Sequence, residues 1–319
     1  MREFKVGNPI HHNNFRCKST KSVSLPQNHS RMKESLFTEN LRHSVGYRIF
    51  LYLIILLICA LVGGLVSFLL TIGDSDNLLK LGQGIRSALI FIVPPIVFYL
   101  ITRRVKPMQN LGFRSVQPAW LLFIGILVMF VSLPVTNQLA EWNEGMHLGM
   151  PTLETWLQNL EKAATELTER MLRVNTFSGL LYNMLIIALI PAIGEELTFR
   201  GVLQQALVKG CKSVHLGIFL SAAIFSFIHF QFYGFLPRMF LGILLGYMFY
   251  VTGSLWISIL MHFVNNGAAV VIYYLNNRGI INVDAEHFGS VENIGLVIAS
   301  MVVTVILIMW SWRKSKSIL

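Results

Sequence analysis

Apolar positions in this chain come in long unbroken blocks rather than at alternating or three-to-four-residue steps. Runs near 47–72, 87–102, 119–140, 176–208, 214–231, 237–252, 255–277 and 291–312 approach or exceed the ~20 residues that carry a helix across a bilayer core. Because only helices and closed barrels satisfy their backbone in lipid, the blocks predict an all-α, polytopic membrane protein with about eight transmembrane helices. Two segments depart from the pattern. Residues 1–46 are polar and lack a helical apolar period, which predicts a disordered tail. Within 141–175, Leu153, Trp156, Leu157, Leu160, Ala164, Leu167, Met171 and Val174 recur at three- and four-residue steps. That spacing predicts an amphipathic helix lying on the membrane or on the bundle, with a substrate-gating lid as the sharper alternative. The chain thus divides into a tail (1–46), three spans (47–140), the amphipathic segment (141–175), a four-helix core (176–277), and a last span with a basic tail (278–319).

Composition agrees with this division. Of 319 residues, 54% are hydrophobic and 13% charged, about half the charge of a soluble domain, so a water-soluble enzyme is excluded. Three cysteines, Cys17, Cys59 and Cys211, are too few and too scattered for a disulfide framework or a thiolate metal site. The net charge of +10 serves orientation: the tail to residue 46 holds eight Lys/Arg against three acids. Arg103, Arg104, Lys106 and Arg114 share one loop without an acid, and Lys209 and Lys212 flank one turn. Arg313, Lys314 and Lys316 close the chain, whereas 141–175 carries six Glu against Lys162, Arg170 and Arg173. The positive-inside rule then places both termini in the cytoplasm and 141–175 outside. A basic tail beside a membrane also fits anionic lipid better than nucleic acid, so no nucleic-acid partner is expected. The first span is too long for a signal-peptide core and is expected to remain in the mature protein. Met32 is an alternative start.

Of sixteen Asp and Glu, only Glu195 and Glu196 fall well inside an apolar run, where an acid costs roughly 2.5–3.5 kcal/mol at a helix centre. Glu196 and Arg200 are four apart and share a face, so they are expected to pair. Glu195 is turned about 100° away and is free to point elsewhere. His229 and His262 also lie in apolar runs, and Asn266 follows His262 by one helical turn. If the runs holding Glu195 and His229 turn near Lys212, both residues are about 25 Å from that turn and meet at one depth. His262 sits about 12 Å past the Ser254 turn, so convergence requires the Lys212 turn to protrude further into the cytosol. Pro191 should kink its helix four residues before Glu195. Singly, each residue has a packing explanation, such as an interhelical hydrogen bond. A carboxylate, two imidazoles and a carboxamide at one depth argue for a joint site.

In order, these residues form Glu195-Glu196-Leu-Thr-Phe-Arg200, Phe225-Ser-Phe-Ile-His229 and His262-Phe-Val-Asn-Asn266. The set resembles the CPBP intramembrane proteases, also called the Abi family. That family includes type II CAAX prenyl endopeptidases and bacteriocin-processing or self-immunity proteins. The segments from Pro237-Arg238 to Gly246 and around Thr252-Gly253-Ser254 also look like the family's connecting helix and turn, so the likeness covers about 176–275 of the sequence. The first three spans and the tail carry none of it.

The resemblance implies a four-helix catalytic core and peptide hydrolysis inside the membrane. That chemistry needs an activated water and a group that stabilises the tetrahedral oxyanion. Glu195, assisted by His229, is expected to activate the water, with His262 and Asn266 holding the oxyanion. By the resemblance, Glu196 and Arg200 orient Glu195, and Phe225 supports His229. No cofactor is required by this scheme. The alternative is one zinc ion held by Glu195, His229 and His262, although a His-Glu-x-x-His helix is absent. The expected partners are a membrane-associated peptide or protein substrate and the bilayer itself, and the expected location is the plasma membrane. Two other functions use the same residues: a proton- or ion-coupled transporter, and a catalytically silent immunity or binding protein.

Overall fold

The computed structural model describes residues 45–72, 75–102, 107–285 and 288–315. The expected disordered tail up to residue 44, Arg103, Arg104, Lys106 and Lys316 lie outside the described residues. Among the described residues every regular element is helical. The chain is a multi-pass helical membrane protein.

Helix α1 (Val45–Thr71) is apolar on all sides. Phe50, Leu53, Leu57, Leu61, Leu65 and Phe68 point outward, as a lipid-facing helix requires. It packs along α2 (Asp76–Phe91), where a Cβ on Gly82 would sit 3.2 Å from the Ser67 hydroxyl. The break at Ile92 precedes Pro94 and Pro95, which open α3 (Val93–Ile101). A proline lacks the N–H that would continue the ladder, so the span bends there and then resumes. The short α4 (Pro107–Asn110) leads to α5 (Leu121–Val131) and α6 (Leu133–Glu144), which bend by 40° at Pro134.

The amphipathic segment is α7 (Pro151–Leu172). Arg170 ties it to Asp76 at the start of α2 at 2.7 Å. At the same end, Asn183 donates to the Met171 carbonyl.

The next span runs from Phe177 to Cys211 and is not one regular helix. It consists of α8 (Phe177–Asn183), a π-helical stretch (Met184–Leu189), α9 (Ile190–Thr198), a second π-helical stretch (Phe199–Gln204) and α10 (Gln205–Cys211). The first π stretch sits where Pro191 removes a donor from the ladder, so the wider turn replaces the expected sharp kink. The turn at Lys212 leads to α11 (Val214–Phe227), and α12 (Phe235–Thr252) follows. Gly253, at φ +63°, ends α12 in a left-handed cap. Helices α13 (Leu255–Asn277) and α14 (Ile294–Lys314) complete the bundle.

Among the described residues six helices are long and apolar enough to cross a membrane, or seven if the bent α5–α6 pair is one span. The expected count of about eight is approximate. Helix α11, read as a span, is 14 residues long, about 21 Å, which is short of a ~30 Å hydrocarbon core. The second span also starts earlier than the apolar run at 87, because α2 begins at Asp76 and takes in Lys80, Gln83 and Arg86.

Two apolar clusters hold the bundle. One joins Leu121, Ile124 and Val128 of α5 to Leu245 and Met248 of α12 and Ile257 and Met261 of α13. The other joins Tyr52 and Ile55 of α1 to Phe98 and Tyr99 of α3, Leu197 of α9 and Leu255. The residues of interest lie between them, on α9, α11 and α13.

Candidate active site

Glu196 and Arg200 pair as their spacing predicts, Oε1 to Nη1 at 2.8 Å, with side chains 0% and 1% exposed. Charges this deep need further partners to offset lost hydration. Arg200 Nη2 donates to the Gly242 carbonyl at 2.8 Å, and the guanidinium lies 5.2 Å from the Phe225 ring centre. Glu196 Oε1 also contacts His262 Nδ1 at 2.8 Å. One ion pair therefore ties α9 to α12 and α13.

This arrangement orients the histidine. A carboxylate accepts, so His262 carries its proton on Nδ1 toward Glu196 and turns Nε2 toward Glu195, 3.7 Å from Oε2. Glu195 itself is 9% exposed and lines a cavity of about 820 Å³. The i,i+1 rotation thus divides the two acids: one is enclosed in a structural network and its neighbour faces open space.

His229 lines the same cavity. It follows the C-terminus of α11, and its Nδ1 donates to the Phe225 carbonyl at 2.8 Å. In the neutral ring that bond leaves Nε2 as an acceptor. The Phe225 ring stands edge-on to His229 at 5.2 Å, to His262 at 5.9 Å and to Phe199 at 5.1 Å, so it sets the spacing of both imidazoles.

Glu195, Glu196, Arg200, Phe225, His229 and His262 are therefore brought together. Asn266 is half-buried one turn beyond His262 and accepts from Asn265 Nδ2 at 3.2 Å. Neither His262 nor Asn266 lines the cavity wall. Among the described residues no three His, Cys, Asp or Glu side chains converge in a way that could hold a metal ion. The zinc set of Glu195, His229 and His262 thus does not fit as it stands, and no step below runs through a metal.

Three features escape the sequence. The cavity has a second wall built from α1 and α2, including Tyr52 and Arg86. Arg86 falls just before the apolar run that begins at 87, so the sequence pattern leaves it at a helix end. Arg238 lies within electrostatic reach of both Glu195 and Glu161. Glu161 of α7 accepts from Gln231 Nε2 and from the Tyr233 N–H, each at 3.2 Å, and so fastens α7 to the loop that follows His229. Only the helical period of α7, which faces Ala164, Leu167 and Thr168 into the cavity, hinted at this contact.

Site and fold together define a polytopic helical membrane protein with an acid and an imidazole on the wall of an intramembrane cavity. Residues 177–268 match the family model of the Rce1-like type II CAAX prenyl endopeptidases. The matched segment contains every residue of the cluster, and the family is one of proteases. No curated protein and no solved structure matches the chain.

Proposed function

We propose that the protein is an intramembrane endopeptidase that hydrolyses a peptide bond of a membrane-associated peptide or protein. The observation that carries this reading is the placement of Glu195. It reaches the cavity, while adjacent Glu196 is held away from it by Arg200 and His262.

Glu195 takes a proton from water, and the water oxygen adds to the scissile carbonyl carbon. The proton then passes to the amide nitrogen as the C–N bond breaks, leaving a carboxylate and an amine. His229, with Nε2 as acceptor, holds the water on the opposite side from Glu195. His262 shares the Glu195 proton through Nε2, and Asn266, on the His262 face of α13, donates to the oxyanion. Glu196 and Arg200 fix the helix that carries Glu195, and Phe225 fixes the two rings. The scheme needs no metal, its partners are the substrate and the bilayer rather than nucleic acid, and the setting is the plasma membrane with both termini cytoplasmic.

In cells, the test compares protein C-termini in membranes carrying wild type and Glu195→Gln. New C-termini present only with wild type are expected. Identical sets of C-termini, with both proteins folded and abundant, refute hydrolysis and leave the transporter and immunity alternatives.

A further inference from the structure

His229 stands just past the end of a helix, and what holds it there comes partly from outside the matched segment. Its own N–H reaches the Ser226 carbonyl at 3.3 Å, on the last turn of α11. The next residue, Phe230, has φ +53°, a left-handed conformation that a bulky side chain adopts only where its surroundings impose it. The direction in which the chain leaves α11, and with it the His229 ring, therefore depends on how residues 230–234 are held.

Three side chains hold that loop. Asn143 of α6 fixes its far half: Nδ2 donates to the Phe232 carbonyl at 2.9 Å, and Oδ1 accepts from the Leu236 N–H at 2.7 Å. Arg238 Nη1 donates to the Gln231 carbonyl at 3.4 Å. Glu161 of α7 grips the near half, one carboxyl oxygen accepting from the Gln231 side chain and the other from the Tyr233 N–H. Because a carboxyl group offers two acceptor oxygens, one side chain fixes residues two apart and the path between them. Gln231 itself lines the cavity, as His229 does.

Helix α7 is seated on the bundle at its C-terminal end. There Met171 and Leu172 are buried, Asn183 and Asn277 donate to their carbonyls, and Arg170 meets Asp76. Glu161 precedes Met171 by ten residues, about 15 Å along the helix, so it grips the loop from an arm whose base is fixed. Between base and grip, Ala164, Leu167 and Thr168 cover the cavity. Beyond the grip, Leu153 and Trp156 are exposed.

We propose that Glu161 is a positioning residue for His229, so that the site is complete only while α7 is docked over the cavity. Glu161 touches no reacting atom and acts through the loop. Helix α7, which lies outside the family match, thereby becomes part of the working site. The proposal rests on the hydrolase reading for its effect on turnover, and on geometry alone for its effect on the His229 ring.

The test compares wild type, Glu161→Leu and Glu161→Gln as full chains in phosphatidylcholine nanodiscs. The first readout needs no substrate: the rate at which each histidine ring exchanges its C2 proton for deuterium, followed by mass spectrometry at fixed pH. Glu161→Leu should change the His229 rate severalfold and leave His262, which Glu196 holds, as in wild type. Glu161→Gln should stay close to wild type, because its oxygen still accepts from the Tyr233 N–H and the Gln231 amide can turn over to accept from its NH2 group. An unchanged His229 rate in Glu161→Leu overturns the proposal and leaves Glu161 as an anchor of α7 alone. Equal changes at His229 and His262 also overturn it, since they mark a general loosening of the fold. The second readout is cleavage of an apolar octapeptide library. Glu161→Leu should lower kcat about 10–100-fold, up to the loss that a slightly misplaced group produces, with little change in KM, and Glu161→Gln should restore most of it. A loss that falls on KM instead, or no loss at all, overturns the positioning role. The His229 ring effect, with no cleavage by any of the three proteins, supports the grip of α7 on the loop and defeats the hydrolase reading.

Discussion

The two walls of the cavity come from parts of the chain with opposite characters. Residues 177–268 match a protease family and tie their polar groups to one another: Arg200 with Glu196 and the Gly242 carbonyl, His262 with Glu196, and Gln204 with the Gly246 carbonyl at 3.0 Å. Residues 45–101 lie outside that match and present Tyr52, Gln83 and Arg86 to the same space. On the matched wall these groups position one another. The unmatched wall brings side chains from a region that the family model does not cover.

The contrast can first be broken on the matched wall. Glu196→Ala leaves Arg200 charged and unpaired at 1% exposure, and removing one partner of a buried pair costs about 3–5 kcal/mol. It also frees His262 Nδ1. Thermal unfolding in nanodiscs should show a large loss of stability together with loss of turnover. A mild loss of stability would mean that the network is less closed than the 2.8 Å contacts imply.

The seam between the walls comes next. A Cβ at Gly194 would stand 2.8 Å from Phe91 Cβ and 3.1 Å from Ile92 Cγ1. Neither atom is the far end of a flexible chain, so Gly194→Ala should push α2 from α9. Overpacking of this kind costs about 1–3 kcal/mol, and the displacement of Glu195 should lower kcat more than it raises KM. An unchanged kcat would show that the two walls need not hold a fixed spacing.

Metal removal should have little effect. Because no three His, Cys, Asp or Glu side chains among the described residues converge in a way that could hold a metal ion, peptidase activity is expected to persist after dialysis against a chelator. Loss of activity that zinc restores would require Glu195, His229 and His262 to regroup.

The smallest effect concerns α7. Burial raises the Glu161 carboxyl above the ordinary carboxylate range, opposed by the Tyr233 N–H, the Arg238 charge and Gln231. A raised acid binds its proton more tightly when α7 is docked, so this contribution is full below the ordinary carboxylate pKa. It is lost as pH rises through the raised one. Hydrogen exchange of 151–172 and 228–234 should therefore speed up modestly over that window in wild type. Glu161→Gln, which does not titrate, should show no such slope.

How far the sequence carried these conclusions depends on the kind of interaction. The Glu196–Arg200 pair was legible because helical spacing alone puts positions four apart on one face. The common depth of Glu195 and His229 followed from equal residue counts about the Lys212 turn, whereas the counts brought His262 to that depth only if the turn protruded. The contact of His262 with Glu196 was not legible, since it depends on how α13 rotates against α9. Nor could the sequence show that Pro191 would be absorbed by a π-helical turn rather than a sharp kink. Arg86 was passed over for a related reason: an apolar-run criterion truncates a span at its first polar residues, and α2 carries Lys80, Gln83 and Arg86 within its helix. Helix α11 shows the converse case, where an unbroken apolar run covers more residues than the 14 that are helical.

The central claim is that Glu195, the acid at the cavity, activates the water, whereas Glu196, its neighbour, is structural. Purified wild type and Glu195→Gln in nanodiscs, matched for melting temperature and given the same peptide library, test this most directly. The account predicts that Glu195→Gln stays folded and loses at least about a hundredfold in kcat, the lower range for removing a general base. A folded Glu195→Gln protein that cleaves at the wild-type rate would contradict it.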